Sequence, residues 1–305
     1  VKKVLNKLKK LLATKVDKHG FEYTVSELVN MHESSKTSSM WHGSNIDNGF
    51  LKYKKSDTLF LLGSGPSINK ISDAQWSRIK QKDSIGFNFW LAHDFVPNLY
   101  MWQLPSDKVA ADSLLNLLEN KLSSYQNVPF IIRGSAFASG KFDTNDRRLS
   151  LLKSLDVFYL NEYPVHSSCA IDPILHYKYV EALGIFNYGQ IGKFTPKWRG
   201  TLGLLISFAY QMGYQKIVLC GMDMMGSSHF WDTGTYLDVK KKYNLPGEGV
   251  SNIQTFTDES HSTNTVPKYV YTMRDWMKQK HGVELFIGNE QTVLYPELPV
   301  YNFNN

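Results

Sequence analysis

Thr58-Leu59-Phe60-Leu61-Leu62-Gly63-Ser64-Gly65-Pro66-Ser67 is the stretch on which the fold turns. Five apolar or β-branched residues without a polar interruption are too few for a buried helix. They suit a strand covered on both faces, which is the position of a central strand in a parallel sheet. Glycines directly after such a strand let backbone approach a ribose or phosphate. No Gly-Lys-Ser/Thr follows, so this is not a P-loop, and Ile68 stands where a dinucleotide fingerprint needs its third glycine. The pair also fits a simple tight turn.

Outward from there the chain alternates. Ser72 and Asp73 cap a helix running to about Lys80; Ser84 to Asn88 and Leu99 to Gln103 read as strands; 107 to 124 has helical periodicity; Val128 to Arg133 is a further strand. Between about 141 and 195 the periodicity is weak, with Pro164, Pro173 and many tyrosines, and an insertion of loops and short helices is expected there. The pattern then resumes with a helix over Thr201 to Met212, a strand over Lys216 to Cys220, a helix over Lys268 to Lys280 and a strand over Glu284 to Ile287. No internal repeat is visible. Such alternation predicts a doubly wound, mostly parallel α/β sheet whose ligands bind beyond the carboxyl ends of its strands.

Two further landmarks carry chemistry. Gly221-Met222-Asp223 ends an apolar strand, and its Asp can accept from ribose hydroxyls or cap a turn. His261-Ser262-Thr263-Asn264-Thr265 precedes a helix; its histidine suits a general base at neutral pH, or is a surface residue beside a cap. Between them, about 225 to 260, Gly, Ser, Pro and charge predict a mobile lid.

The 305 residues are 42% hydrophobic and 20% charged, enough for a large core. Aromatics, at 13%, suit sugar or base handling as well as core packing. The two cysteines, Cys169 and Cys220, have no metal-ligand spacing and read as buried thiols of a reducing compartment. A net charge of +6 is concentrated at the start. There Val1, Val4, Leu5, Leu8, Leu11 and Leu12 recur at helical spacing opposite Lys2, Lys3, Lys7, Lys9 and Lys10. Residues 1–18 thus predict a basic amphipathic helix on an anionic membrane, or one packed on its own domain with a solvated lysine face. No aromatics interleave with the basic residues, so no nucleic-acid partner is expected. Residues 30 to 56 read as a connecting segment, giving an N-terminal unit over 1–56 and a main domain over 57–305, which the resemblance drawn next makes a nucleotide-sugar-binding domain.

Taken in order, the strand with Gly-x-Gly-Pro-Ser, Asn88, Met212 to Tyr214, Gly221-x-Asp223, Gly226-Ser227-Ser228 with Asp232, and His261-Ser262-x-Asn264-Thr265 resemble the bacterial family-42 sialyltransferases. The resemblance covers roughly residues 57 to 295, with gaps between about 105 and 195. It implies a GT-A-like variant fold, transfer of a sialic-acid-like 2-keto sugar (Kdo included) from a CMP donor to a glycan hydroxyl, and inversion. Gly63, Ser64, Gly65 and Ser67 would hold ribose and phosphate; Asn88, Gln103, Thr201, Gly221, Asp223 and Ser228 would bind the rest of the donor; His261 would be the general base. The family's two phosphate-assisting tyrosines align with Met225 and His229, leaving His229 as the second catalytic candidate. Its arginine before the Thr201 helix has no match, although Lys197 and Arg199 are neighbours.

Asp-x-Asp is absent and CMP carries a monophosphate, so neither metal nor other cofactor is expected. The class implies a lipooligosaccharide or other glycan acceptor, an enzyme peripheral on the cytoplasmic face of the inner membrane, and a possible homo-oligomer. The competing readings are a pterin diphosphokinase-like enzyme and a non-catalytic membrane-surface assembly protein.

Overall fold

The computed structural model describes residues 43–103, 105, 107–133, 147–165, 173–182, 184–192, 194–198, 200–226, 228–247 and 265–304. The amphipathic segment 1–18 and His261 therefore lie outside the described residues, as does Cys169. The strands are β1 (Ser44–Asn45), β2 (Thr58–Leu62), β3 (Asp83–Phe87), β4 (Leu99–Trp102), β5 (Phe130–Arg133) and β6 (Val157–Leu160). They continue with β7 (Glu162–Val165), β8 (Thr195–Trp198), β9 (Lys216–Cys220) and β10 (Glu284–Ile287). The helices are α1 (Asp73–Lys80), α2 (Lys108–Tyr125), α3 (Pro173–Ala182), α4 (Gly200–Gln211), α5 (Leu237–Tyr243) and α6 (Val266–His281).

Eight strands form one parallel sheet in the order β1-β6-β5-β4-β3-β2-β9-β10, and β7 pairs with β8 beside it. Every residue of β2 is buried, as its apolar run requires. Its alternate side chains enter different cores: Leu59 and Leu61 meet α4 and α6, while Phe60 and Leu62 join the core that holds α1 and α2. Helices thus cover both faces, and the fold is a doubly wound α/β sheet. Helix α4 is buried on all sides from Gly203 to Gln211, which explains an apolar run that shows little amphipathic periodicity. Ser72 and Gln75 form a capping box at α1, and Gly282 ends α6 in the left-handed conformation.

Two expectations are corrected. The stretch 141–195 is more than an inserted loop, because it contributes β6, which pairs in register with β5. Four residues are too short for periodicity to declare itself. Residues 43–56 belong to the domain and are no free connector: β1 pairs with β6, and Phe50, 2% exposed, packs edge-on against Phe158 at 4.8 Å and Phe208 at 6.0 Å. Burying one phenyl ring contributes roughly 2–3 kcal/mol toward holding the segment, alongside the hydrogen bonds of Lys54, Lys55 and Ser56 to Gly213 and Asp83.

From β2 the chain lays down β3, β4, β5 and β6 in one direction, then returns to place β9 and β10 on the other side of β2. The order reverses between β2 and β9. In open parallel sheets a crevice opens at the carboxyl ends of the strands flanking such a reversal.

Candidate functional site

At that reversal the two glycine motifs meet. The Gly63 N–H donates to the Cys220 carbonyl at 2.8 Å, and the Gly65 N–H donates to the Gly221 carbonyl at 2.8 Å. The contact leaves no room for side chains. A Cβ on Gly63 would lie 2.5 Å from the Gly221 oxygen, and one on Gly65 would lie 2.5 Å from Asp223 Oδ2. Gly221 is left-handed at φ +67. The glycines are required first by the fit of one turn into the other.

Asp223, 6% exposed, locks the arrangement. It accepts the Ser67 N–H at 2.8 Å on Oδ2 and the Ser67 hydroxyl at 2.5 Å on Oδ1. Burial raises its pKa above the ordinary carboxylate value, opposed by the two Ser67 bonds and by Lys70. Ser67 and Asp223, both expected at the donor, therefore hold the loop for each other. The expected helix start is a five-residue 3-10 turn, Pro66–Lys70, and the Ser67 N–H is already committed. Among the described residues nothing accepts from the Ser64 N–H, which leaves it as a donor for a ligand.

Asn88, next along the edge at the end of β3, has the marks of a functional residue. It is left-handed at φ +52, its carbonyl accepts from the Tyr100 hydroxyl, and its Oδ1 is buried without a hydrogen-bond partner. A left-handed backbone and an unpartnered buried acceptor mark Asn88 as a candidate contact for a ligand.

Beyond β4, Gln103 and Thr201 come together around a residue that sequence reasoning missed. Arg133, at the end of β5, has a side chain 1% exposed; it pairs with Glu162 at 2.7 Å through both Nε and Nη2. Its Nη1 donates to Gln103 Oε1 and, at 3.4 Å, to Thr201 Oγ1 in the first turn of α4. Lys197 approaches the other oxygen of Glu162 at 3.4 Å, and burial lowers the lysine pKa despite that carboxylate. Two cations thus share one buried carboxylate beside a helix N-terminus, a net positive setting that suits an anionic ligand group. An arginine at the end of an apolar strand was the only available signal, since its partners are 29 or more residues away.

His229 lies at the opposite end, its ring stacked 4.4 Å from Trp231. The ring accepts from the main chain of Asp232 and hydrogen-bonds the main chain of Ser64. Burial lowers its pKa, with Asp232 opposing and Lys240 reinforcing the shift. These bonds hold a neutral ring beside Ser64 at the glycine end. Ser228 is half-buried beside it, and Met225 is 57% exposed.

The expected lid is also corrected for residues 228–247. Phe230, Trp231 and Leu245 are buried in the core with α2, the Trp231 Nε1–H donates to the Pro246 carbonyl at 3.0 Å, and the Ser113 hydroxyl donates to the Asn244 carbonyl at 2.8 Å. Apolar anchors recur there at spacings that polar neighbours conceal. Among the described residues no three His, Cys, Asp or Glu side chains cluster to hold a metal ion, and no helix is long and apolar enough to cross a membrane.

No family model matches the chain, and no curated protein matches it. Among solved structures it is similar to the sialyltransferase CstII from Campylobacter jejuni, determined in complex with a substrate analogue, cytidine-5'-monophosphate. Identity is 14%, 86% of this chain and 88% of that one are covered, and the TM-score is 0.40. At that degree of likeness the chemistry of the site rests on this chain's own residues.

Proposed function

We propose that the protein is a glycosyltransferase that moves a sialic-acid-like 2-keto sugar from a CMP donor to a glycan hydroxyl, with inversion and without a metal. The observation that carries this reading is the polarity of the carboxyl edge. A glycine-lined junction suited to a nucleotide lies at β2 and β9, and a buried cationic cluster lies at β5. Three strand spacings of about 4.8 Å, roughly 14 Å, separate β2 from β5. A nucleoside monophosphate joined to a large sugar acid extends over such a span, with its carboxylate toward Arg133 and Lys197.

In this mechanism Asn88 Oδ1 accepts from a donor hydroxyl or amine midway along the edge. The Ser64 N–H stabilises charge on the departing phosphate, as preorganised main-chain donors do. His261 keeps its proposed role as general base from its place in His-Ser-x-Asn-Thr. Residues 1–18 would hold the enzyme on an anionic membrane surface near a lipid-linked acceptor.

The test is incubation with a panel of CMP-activated 2-keto acids in excess EDTA, following CMP release. Release that His261→Ala lowers by about 10²-fold or more, with CMP affinity unchanged, supports the reading. No release from any donor would overturn it. Activity only with a nucleoside triphosphate and magnesium would favour the diphosphokinase-like alternative.

A further inference from the structure

On the face of the sheet that carries α1, a cleft of about 480 Å³ opens between the start of α1, the segment after β3 and the 3-10 turn Gly234–Tyr236. Half-buried rings of Trp76, Phe95 and Tyr236 line it, with His93 beneath them. Exposed Asp73 and Asn69 stand at the rim. Ile68, against which Gly221 packs, also lines the cleft, so it adjoins the glycine junction without being part of it.

His93 is 7% exposed and is held in one state. Its ring stacks on Trp90 at 4.5 Å and on Tyr236 at 5.0 Å. Its Nδ1 accepts the Phe95 N–H at 2.9 Å, so the neutral ring carries its proton on Nε2. Burial lowers the pKa to about 4, with Asp94 opposing and Lys121 reinforcing, which keeps the ring neutral near pH 7. Among the described residues nothing accepts from Nε2. The cleft therefore has aromatic walls, one fixed uncharged donor at its base, and a carboxylate and an amide at its edge.

We propose that this cleft binds a neutral sugar ring and, resting on the glycosyltransferase reading, that it holds the acceptor glycan. A pyranose offers apolar C–H faces to aromatic rings and hydroxyls at its rim that need donors and acceptors together. Trp76, Phe95 and Tyr236 meet the first requirement; His93 Nε2–H as donor, and the Asp73 carboxylate and Asn69 Oδ1 as acceptors, meet the second. The Asn69 amide nitrogen already donates to the Phe230 carbonyl and the Thr233 hydroxyl. A phosphate or carboxylate fits poorly, because the only charge facing it from the rim residues is that of Asp73 and the histidine is neutral. An acyl chain would leave the His93 donor without a partner, a desolvated polar group with no compensation.

Saturation-transfer NMR on the full chain, with methyl glycosides of galactose, glucose and the N-acetylhexosamines as probes, tests the site without any donor. Transfer to the sugar C–H protons is expected, and Trp76→Ala should weaken binding by about tenfold or more. Asp73→Asn, at an exposed position that cannot unfold the chain, should weaken it by a smaller factor. In turnover assays both variants should raise the acceptor KM while leaving CMP release to water unchanged. Absence of transfer from every glycoside, or equal binding by both variants and the parent, overturns the sugar site. Glycoside binding lost in Trp76→Ala, in a protein that releases CMP from no donor, keeps the sugar site and sinks the glycosyltransferase reading instead.

Discussion

The two ends of the carboxyl edge are built in opposite ways. At β2 and β9 the site is backbone: Gly63, Gly65 and Gly221 interlock, and Asp223 clamps the turn through two bonds to Ser67. At β5 it is side chain: Arg133, Glu162, Lys197, Gln103 and Thr201 converge from different segments on a buried, positively charged point. The first end excludes side chains so that one turn can pack into the other. The second carries the desolvation of charged groups to present a field. A backbone site fails by steric intrusion, whereas a buried charged site fails by loss of a partner.

The largest effect should come from breaking the charged end. Arg133→Met leaves Glu162 buried against Lys197 alone and should destabilise the protein by about 3–5 kcal/mol, read as a lowered urea midpoint. Arg133→Met combined with Glu162→Met should recover most of that loss while donor turnover stays depressed. Recovery of turnover with stability would show that the cluster serves the fold alone.

Gly65→Ala attacks the other end. Gly65 sits at φ −65, so backbone conformation costs nothing and only the 2.5 Å approach to Asp223 Oδ2 matters. Overpacking of this kind should destabilise by about 1–3 kcal/mol and abolish the rise in melting temperature produced by CMP. An intact CMP response would place the nucleotide elsewhere on the edge.

Asn88, between the two ends, should separate stability from function. Asn88→Gly relieves the left-handed strain and removes the unpartnered buried Oδ1. Thermal melting should show no loss and a gain of up to about 1 kcal/mol, while donor affinity falls. A clear loss of stability would mark Asn88 as structural.

The smallest effect concerns pH at the glycine end. Burial holds the folded pKa of His229 below the ordinary 6.5, so the unfolded chain binds the proton more readily in the window just beneath that value. Stability from the neutral ring is fully present above pH 6.5 and is lost as pH falls through the folded pKa. His229→Gln should therefore have a shallower acid slope than the parent in urea midpoints taken between pH 7 and pH 5. Parallel slopes would mean that the ring is not held neutral.

The sequence by itself determined the alternating α/β pattern, the buried strand β2 and the two glycine turns that follow β2 and β9, because each depends on residues close together in the chain. An apolar run reads as a buried strand, Ser72 and Asp73 read as a helix start, and a glycine after a strand reads as a backbone approach. Only the tertiary structure decided that β6 joins the sheet, that Phe50 anchors the segment before β2, and that residues 228–247 pack into the core. It alone also revealed the partners of Arg133 and the single protonation state of His93. Local pattern records which surface of a segment must be buried and where the backbone must bend. It does not record which distant charge or ring will meet it, because those pairings are fixed by the order of the strands.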